Sequence, residues 1–248
     1  MALSRSYFIC SSPRSGSYLL SEGLESTGVA GRPKEYFDPH VDIEARVRRS
    51  VGAEMVPYPE FVRRVLAVGT TENGVFGCKC HWHQFEYMLK QLVPLPAWGG
   101  PSLWDPLAAY FPNVQFIWMR RRDRVRQAVS YARAVRSGRW WDLKGQPTAA
   151  GEGGPPDPKL VDARMKDLEY CEGGWDRFFG QMQVRPLVLW YEDLAAAYDV
   201  SLTAALDYLK LSLPPPGTFA PPRLQKQADA ETETWVAAYL ARRGDPPG

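Results

Sequence analysis

The chain has 248 residues, 45% of them hydrophobic, which is enough to bury the core of one α/β domain, and with no linker dividing two such cores we read 1–248 as one domain. Lys and Arg number 30 against 28 Asp and Glu, a net charge of +2, so the whole chain is close to balance and a local excess of one sign is informative. The apolar run near residue 7 is too short to span a bilayer, no charged leader precedes a long apolar run, and four cysteines lack a disulfide framework; no membrane span, secretory signal or disulfide scaffold is expected, and reduced thiols in a cytoplasmic protein are.

In chain order, the first predicted element is a buried strand through Tyr7, Phe8, Ile9 and Cys10. A tight polar loop, Ser11-Ser12-Pro13-Arg14-Ser15-Gly16-Ser17, joins it to an amphipathic helix from Tyr18. Strand, loop and helix start in that order make a phosphate cradle, because unpaired backbone amides and the helix dipole both face an anion. A kinase-type loop reads Gly-x-x-x-x-Gly-Lys-Ser/Thr, and its Lys reaches the terminal phosphates. Here the leading Gly and that Lys are absent, and the cation lies inside the loop at Arg14. The helix stops at Thr27-Gly28, and Gly31-Arg32-Pro33-Lys34-Glu35-Tyr36-Phe37 follows as a loop. A carboxylate there, close to cations, can take a proton from an attacking hydroxyl.

The next strand is Gly74 to Gln84, containing Cys78, Lys79, Cys80, His81 and His83. On an extended strand the two cysteines face one side and the two histidines the other, so the four cannot converge on one zinc ion and no metal is expected. A third strand, Val114 to Met119, runs directly into eight arginines between Arg120 and Arg139 with one acid, Asp123. Such an excess implies a bound anion, either a nucleotide phosphate or a nucleic acid. Trp140 and Trp141 then precede a Gly/Pro-rich loop over 149–158, a candidate acceptor lid with the packing role of the tryptophans left open. Amphipathic helices are predicted over 161–179 and 202–209, and a fourth strand near Pro186 runs into Tyr191-Glu192-Asp193-Leu194, whose acids suit a helix N-terminus. Residues 213–222 read as a stiff Pro-rich connector ahead of Gln225-Lys226-Gln227-Ala228-Asp229.

These segments together resemble the sulfotransferases that use 3′-phosphoadenosine 5′-phosphosulfate (PAPS), most closely the bacterial trehalose sulfotransferase group. That group's Arg-Ser-Gly-Ser loop is matched by Arg14 to Ser17, its Gly-x-x-Gly-x-Pro-x-Glu stretch by Gly28 to Glu35, and its strand-end Arg with a following helical Ser by Arg121 and Ser130. The resemblance implies a three-layer, P-loop-like α/β fold with a mostly parallel sheet and a metal-free sulfuryl transfer to a small-molecule hydroxyl. Glu35 is then the preferred base, with His81, in a Lys-Cys-His run like the Lys-Thr-His of cytosolic sulfotransferases, as the second candidate. Arg14 stabilises the leaving phosphate, and Ser12, Pro13, Ser15, Gly16, Ser17, Tyr18, Arg121, Ser130 and Lys226 complete the donor site. Trehalose, another sugar or a secondary-metabolite hydroxyl is the implied acceptor, and a homodimer the implied assembly. The alternatives are a metal-dependent nucleotide kinase and a non-enzymatic nucleic-acid or anion binder that uses the arginines.

Overall fold

The computed structural model describes residues 3–92, 104–140, 154–212, 219–223 and 230–244. Among these, four strands form one sheet: β1 (Arg5–Ser11), β2 (Val75–His81), β3 (Gln115–Arg120) and β4 (Leu187–Trp190), in the order β2-β1-β3-β4 with every pair parallel. Parallel strands buried on both faces need helices on both sides, and alternation along β1 and β3 supplies two apolar faces. Phe8, Cys10, Phe116 and Trp118 pack against Phe61 and Val65 of α3 (Tyr58–Gly69), Phe85 and Met88 of α4 (Trp82–Leu92), and Trp175 and Phe178 of α7 (Pro158–Gln181). Tyr7, Ile9, Ile117 and Met119 pack on the other face against Leu20 and Leu24 of α1 (Ser17–Ser26) and Leu202 and Leu206 of α9 (Tyr198–Tyr208). The sheet is thus the middle of three layers, and it is parallel throughout.

Beyond these layers, α6 (Arg124–Ser137) and α10 (Ala230–Arg243) pack with α7 around Val129, Ala132, Leu168 and Trp235. Short helices α2 (Val41–Ser50), α5 (Trp104–Tyr110) and α8 (Tyr191–Ala196) complete the described elements. None of the described helices is long and apolar enough to cross a membrane.

The register positions the site. Ser11 lies opposite His81 on one side and Met119 on the other, and Arg120 lies opposite Trp190, so the carboxyl ends of all four strands form one edge. The chain leaves β1 for β2 on one flank and returns to β3 on the other. A crevice opens at such a reversal, and it is here that the Ser12–Ser17 loop emerges.

Candidate active site

The loop after β1 is held from behind and below. Gln127 of α6 donates from Nε2 to Ser12 Oγ at 3.0 Å and to the Pro13 carbonyl at 2.8 Å, and Trp175 Nε1 donates to the Ser11 carbonyl at 3.0 Å. Ser12 Oγ in turn donates to Glu172 Oε1 at 2.9 Å. Glu172, 6% exposed, also takes Arg120 Nε at 3.0 Å and Arg124 at 3.5 Å, so its charge is paired where an isolated carboxylate would be costly. Arg14 and Gly16 adopt left-handed backbone, φ 62° and 86°. At Gly16 a side chain is excluded, since a Cβ would lie 2.5 Å from Tyr191 Cδ2, and Gly16 opens α1. The result is a tight loop that leads from the end of β1 into the N-terminus of α1, where a helix start favours an anion.

Three of the expected donor residues meet at this loop. Arg14 donates from Nε to Ser130 Oγ at 3.0 Å and also to the Trp140 carbonyl. Arg121 donates to the Arg14 carbonyl at 3.3 Å, and its guanidinium stacks 4.6 Å from the centre of the Tyr191 ring. Burial lowers its proton affinity from the ordinary Arg value. Arg121 Nε and Ser15 Oγ are both buried with no hydrogen-bond partner among the described residues. Two orphan donors beside a helix start are the complement of an anion. Ser17 is buried in the first turn of α1 and Tyr18 is half-exposed on the same helix. Lys226 and Trp141 lie outside the described residues, as do residues 149–153 of the 149–158 loop. Trp140 is 41% exposed, with its ring 5.9 Å from that of Tyr131.

The remaining arginines have other duties. Arg122 makes a two-pronged pair with Asp193 at 2.8 Å while its backbone amide donates to Glu192, so the Tyr-Glu-Asp-Leu acids serve the β3–α6 turn. Arg126 pairs with Glu233, Arg133 pairs with Glu231 at 2.7 Å, and Arg136 lies over the Trp235 ring. The local excess that in sequence implied one bound anion is therefore largely answered by acids from distant segments.

The second half of the site is built on β2. Gly31 takes φ 68°, and a Cβ there would lie 2.4 Å from the Gly77 nitrogen, so only glycine lets the loop run this close to the strand. Lys34 consequently pairs with Cys78 in parallel, and Lys79 N–H donates to the Lys34 carbonyl at 3.0 Å. This places Glu35 over the end of β2. Lys79 Nζ donates to Glu35 Oε1, His81 Nε2 lies 3.9 Å from the same oxygen, and Gln84 Nε2 donates to Oε2 at 3.0 Å. Burial pushes the Lys79 ammonium down to about 7, against which the touching carboxylate favours the charged form. Burial, and after it the Lys79 charge, holds His81 well below the ordinary histidine value, so its imidazole is neutral at pH 7. His81 Nδ1 meets Ser11 Oγ at 2.9 Å, which ties the end of β2 to the end of β1.

The strand reading of the Cys/His run needs one correction. β2 ends at His81, and His83 belongs to α4, with its ring 6.0 Å from that of His81. Cys78 and Cys80 are buried together on the α3/α4 face. No group of three His, Cys, Asp or Glu side chains able to hold a metal occurs among the described residues.

Three functional supports were not singled out in the sequence: Glu172, Gln127 and Gln84. Glu172 carries a readable signal, because it falls in the apolar stripe Leu168, Cys171, Trp175, Phe179 of α7, where a carboxylate requires a partner. The other two are amides with no distinguishing local pattern.

Known proteins are similar to this chain along nearly its whole length. Trehalose 2-sulfotransferase of Mycobacterium tuberculosis is 27% identical over 96% of this chain and 95% of its own. Trehalose 2-sulfotransferase of Mycolicibacterium smegmatis is 29% identical over 94% of this chain and 93% of its own. Among solved structures, the sulfotransferase domain from the curacin biosynthetic pathway superposes with a TM-score of 0.51 at 15% identity, covering 94% of this chain and 83% of that one, and so shares the fold. The Stf0 sulphotransferase family model matches residues 6–242, from β1 through to α10, and the chain accordingly belongs to that family and is a sulfotransferase.

Proposed function

We propose that this enzyme moves a sulfuryl group from PAPS to a hydroxyl of a sugar, with trehalose, the substrate named for its two relatives, as the first acceptor to test. The observation that carries this reading is the placement of Glu35, pinned between Lys79 and Gln84 at the strand edge from which the phosphate loop also springs. Attack on sulfur needs the acceptor hydroxyl to lose its proton as the new S–O bond forms and the S–O bond to the 5′-phosphate breaks. Glu35, one-third exposed, reaches the crevice and takes that proton; His81, neutral and bonded to Ser11, stands behind it. Arg14 and the loop amides stabilise the charge that gathers on the leaving phosphate. Arg121, with its orphan Nε, and Ser130 fit the 3′-phosphate. The chemistry balances without a metal, because these cations take the role that magnesium has in phosphoryl transfer.

The same reading takes 1–248 as one sulfotransferase domain, acting in the cytoplasm as a homodimer on a small molecule. The described cysteines are all free and buried, which suits a reducing compartment. The test is calorimetric titration with adenosine 3′,5′-bisphosphate in EDTA, beside adenosine 5′-phosphate and ATP with magnesium. Tight metal-free binding that is lost with the 3′-phosphate is expected. A preference for ATP with magnesium would overturn the proposal.

A further inference from the structure

We propose that Gln84 is the positioning residue for the Glu35 base, holding its carboxylate in one orientation and in the ionised form. The inference rests on the reading of Glu35 as the base. Gln84 is 1% exposed and is the third residue of α4. Its Oε1 accepts from the His81 backbone N–H at 2.9 Å, as the third residue of a helix does when it reaches back to cap the first turn. This contact decides which way the amide lies, because its carbonyl is committed to a donor and its NH2 must face the opposite way. There Nε2 donates to Glu35 Oε2 at 3.0 Å and to Asp38 Oδ2 at 2.7 Å. Asp38 is itself held by the His40 N–H at 2.9 Å.

A cap alone requires only Oε1. The two remaining N–H groups are spent on carboxylates of a different chain segment, and every polar atom of a buried amide is thereby used, which makes it a rigid donor. The titratable groups facing Glu35 are Lys79 and the neutral His81 from β2 and Asp38 from its own loop; His83 of α4 lies beside the His81 ring, and the charge of Arg14 acts on Lys79. Lys79 and His81 can each gain or lose a proton. Gln84 cannot, so it is the donor to Glu35 whose support is the same at every pH.

The experiment is steady-state kinetics across pH with PAPS and trehalose for the wild type, Gln84→Met, Gln84→Glu and Glu35→Gln, with adenosine 3′,5′-bisphosphate binding measured on each. Gln84→Met should lower kcat by about 10-fold and move the acid limb of the kcat profile up by about one unit, since a carboxylate deprived of a donor holds its proton more tightly. Trehalose KM and bisphosphate affinity should stay as in the wild type. Gln84→Glu keeps the acceptor for the His81 N–H but sets a third carboxyl group among two, so its limb should move further in the same direction. If Gln84→Met does not fold, the Gln84→Glu profile decides alone. A limb that stays in place while bisphosphate still binds would overturn the proposal and leave Gln84 a helix cap. Glu35→Gln separates the two failures: if it is inactive while the limb is unmoved, only the role of Gln84 falls, and if it keeps wild-type kcat, the base assignment and this inference fall together.

Discussion

Glu35 sits at the meeting point of two kinds of neighbour, a buried ammonium on one oxygen and a neutral amide on the other. Its exchange for glutamine keeps the shape and removes the proton acceptor. Glu35→Gln should therefore reduce kcat by about 10²- to 10⁴-fold, the usual worth of a positioned base. Bisphosphate affinity should be untouched, because the proposed donor contacts come from Arg14, Ser15, Arg121 and Ser130. Calorimetry on the variant checks this, and a joint loss of binding would reassign Glu35 to the donor side. Residues of this kind were legible in the sequence where the chemistry is local. The Arg14 loop and the Gly-rich approach to Glu35 are contiguous, whereas Gln84 matters only because a helix start lies beside a loop ending 46 residues earlier.

At the scale of elements, glycine does the placing. The loop from Gly28 to Glu35 lies along β2 only because Gly31 takes φ 68° with no Cβ to strike the Gly77 nitrogen. The obstacle is backbone, which no rotamer change relieves. Gly31→Ala should thus cost about 2 kcal/mol or more, combining left-handed strain with the overlap. Any folded protein should show a fall in kcat without loss of bisphosphate binding, because the loop that carries Glu35 must lift from the strand. Thermal melting and single-turnover assays would read both, and a variant with wild-type melting and turnover would show that the loop is held by other contacts. The predicted helices at 161–179 and 202–209 appear as α7 and α9, somewhat longer at their N-terminal ends. In α7 the extension begins with Asp157, whose side chain accepts from the Leu160 N–H, ahead of Pro158 in the first turn.

Over the whole molecule, folding changes what charges and protons do. His81 is buried and kept neutral, while in the unfolded chain it accepts a proton below about pH 6.5. The sign follows directly: stability from this group is fully present above that value and is lost as pH falls below it, with a limiting slope of about 1.4 kcal/mol per pH unit. His81→Gln should flatten part of that loss. Urea denaturation at pH 7.5 and 5.5 compares the two proteins, and an equal loss in both would show that His81 is not the group responsible. The helices at 161–179 and 202–209, the four strand segments in their chain order and the loop after β1 were determined by the sequence, because periodicity, glycine and proline act over a few residues. Only the tertiary structure decided how the clustered arginines are answered, with Arg121 stacked on the Tyr191 ring while others pair with acids. The acids that pair with the others come from positions 172, 192, 193, 231 and 233 and reach them through packing of α7, α8 and α10. It likewise decided which of the two candidate bases is neutral and enclosed, since burial and through-space charge depend on residues far apart in the chain and have no signature in local spacing.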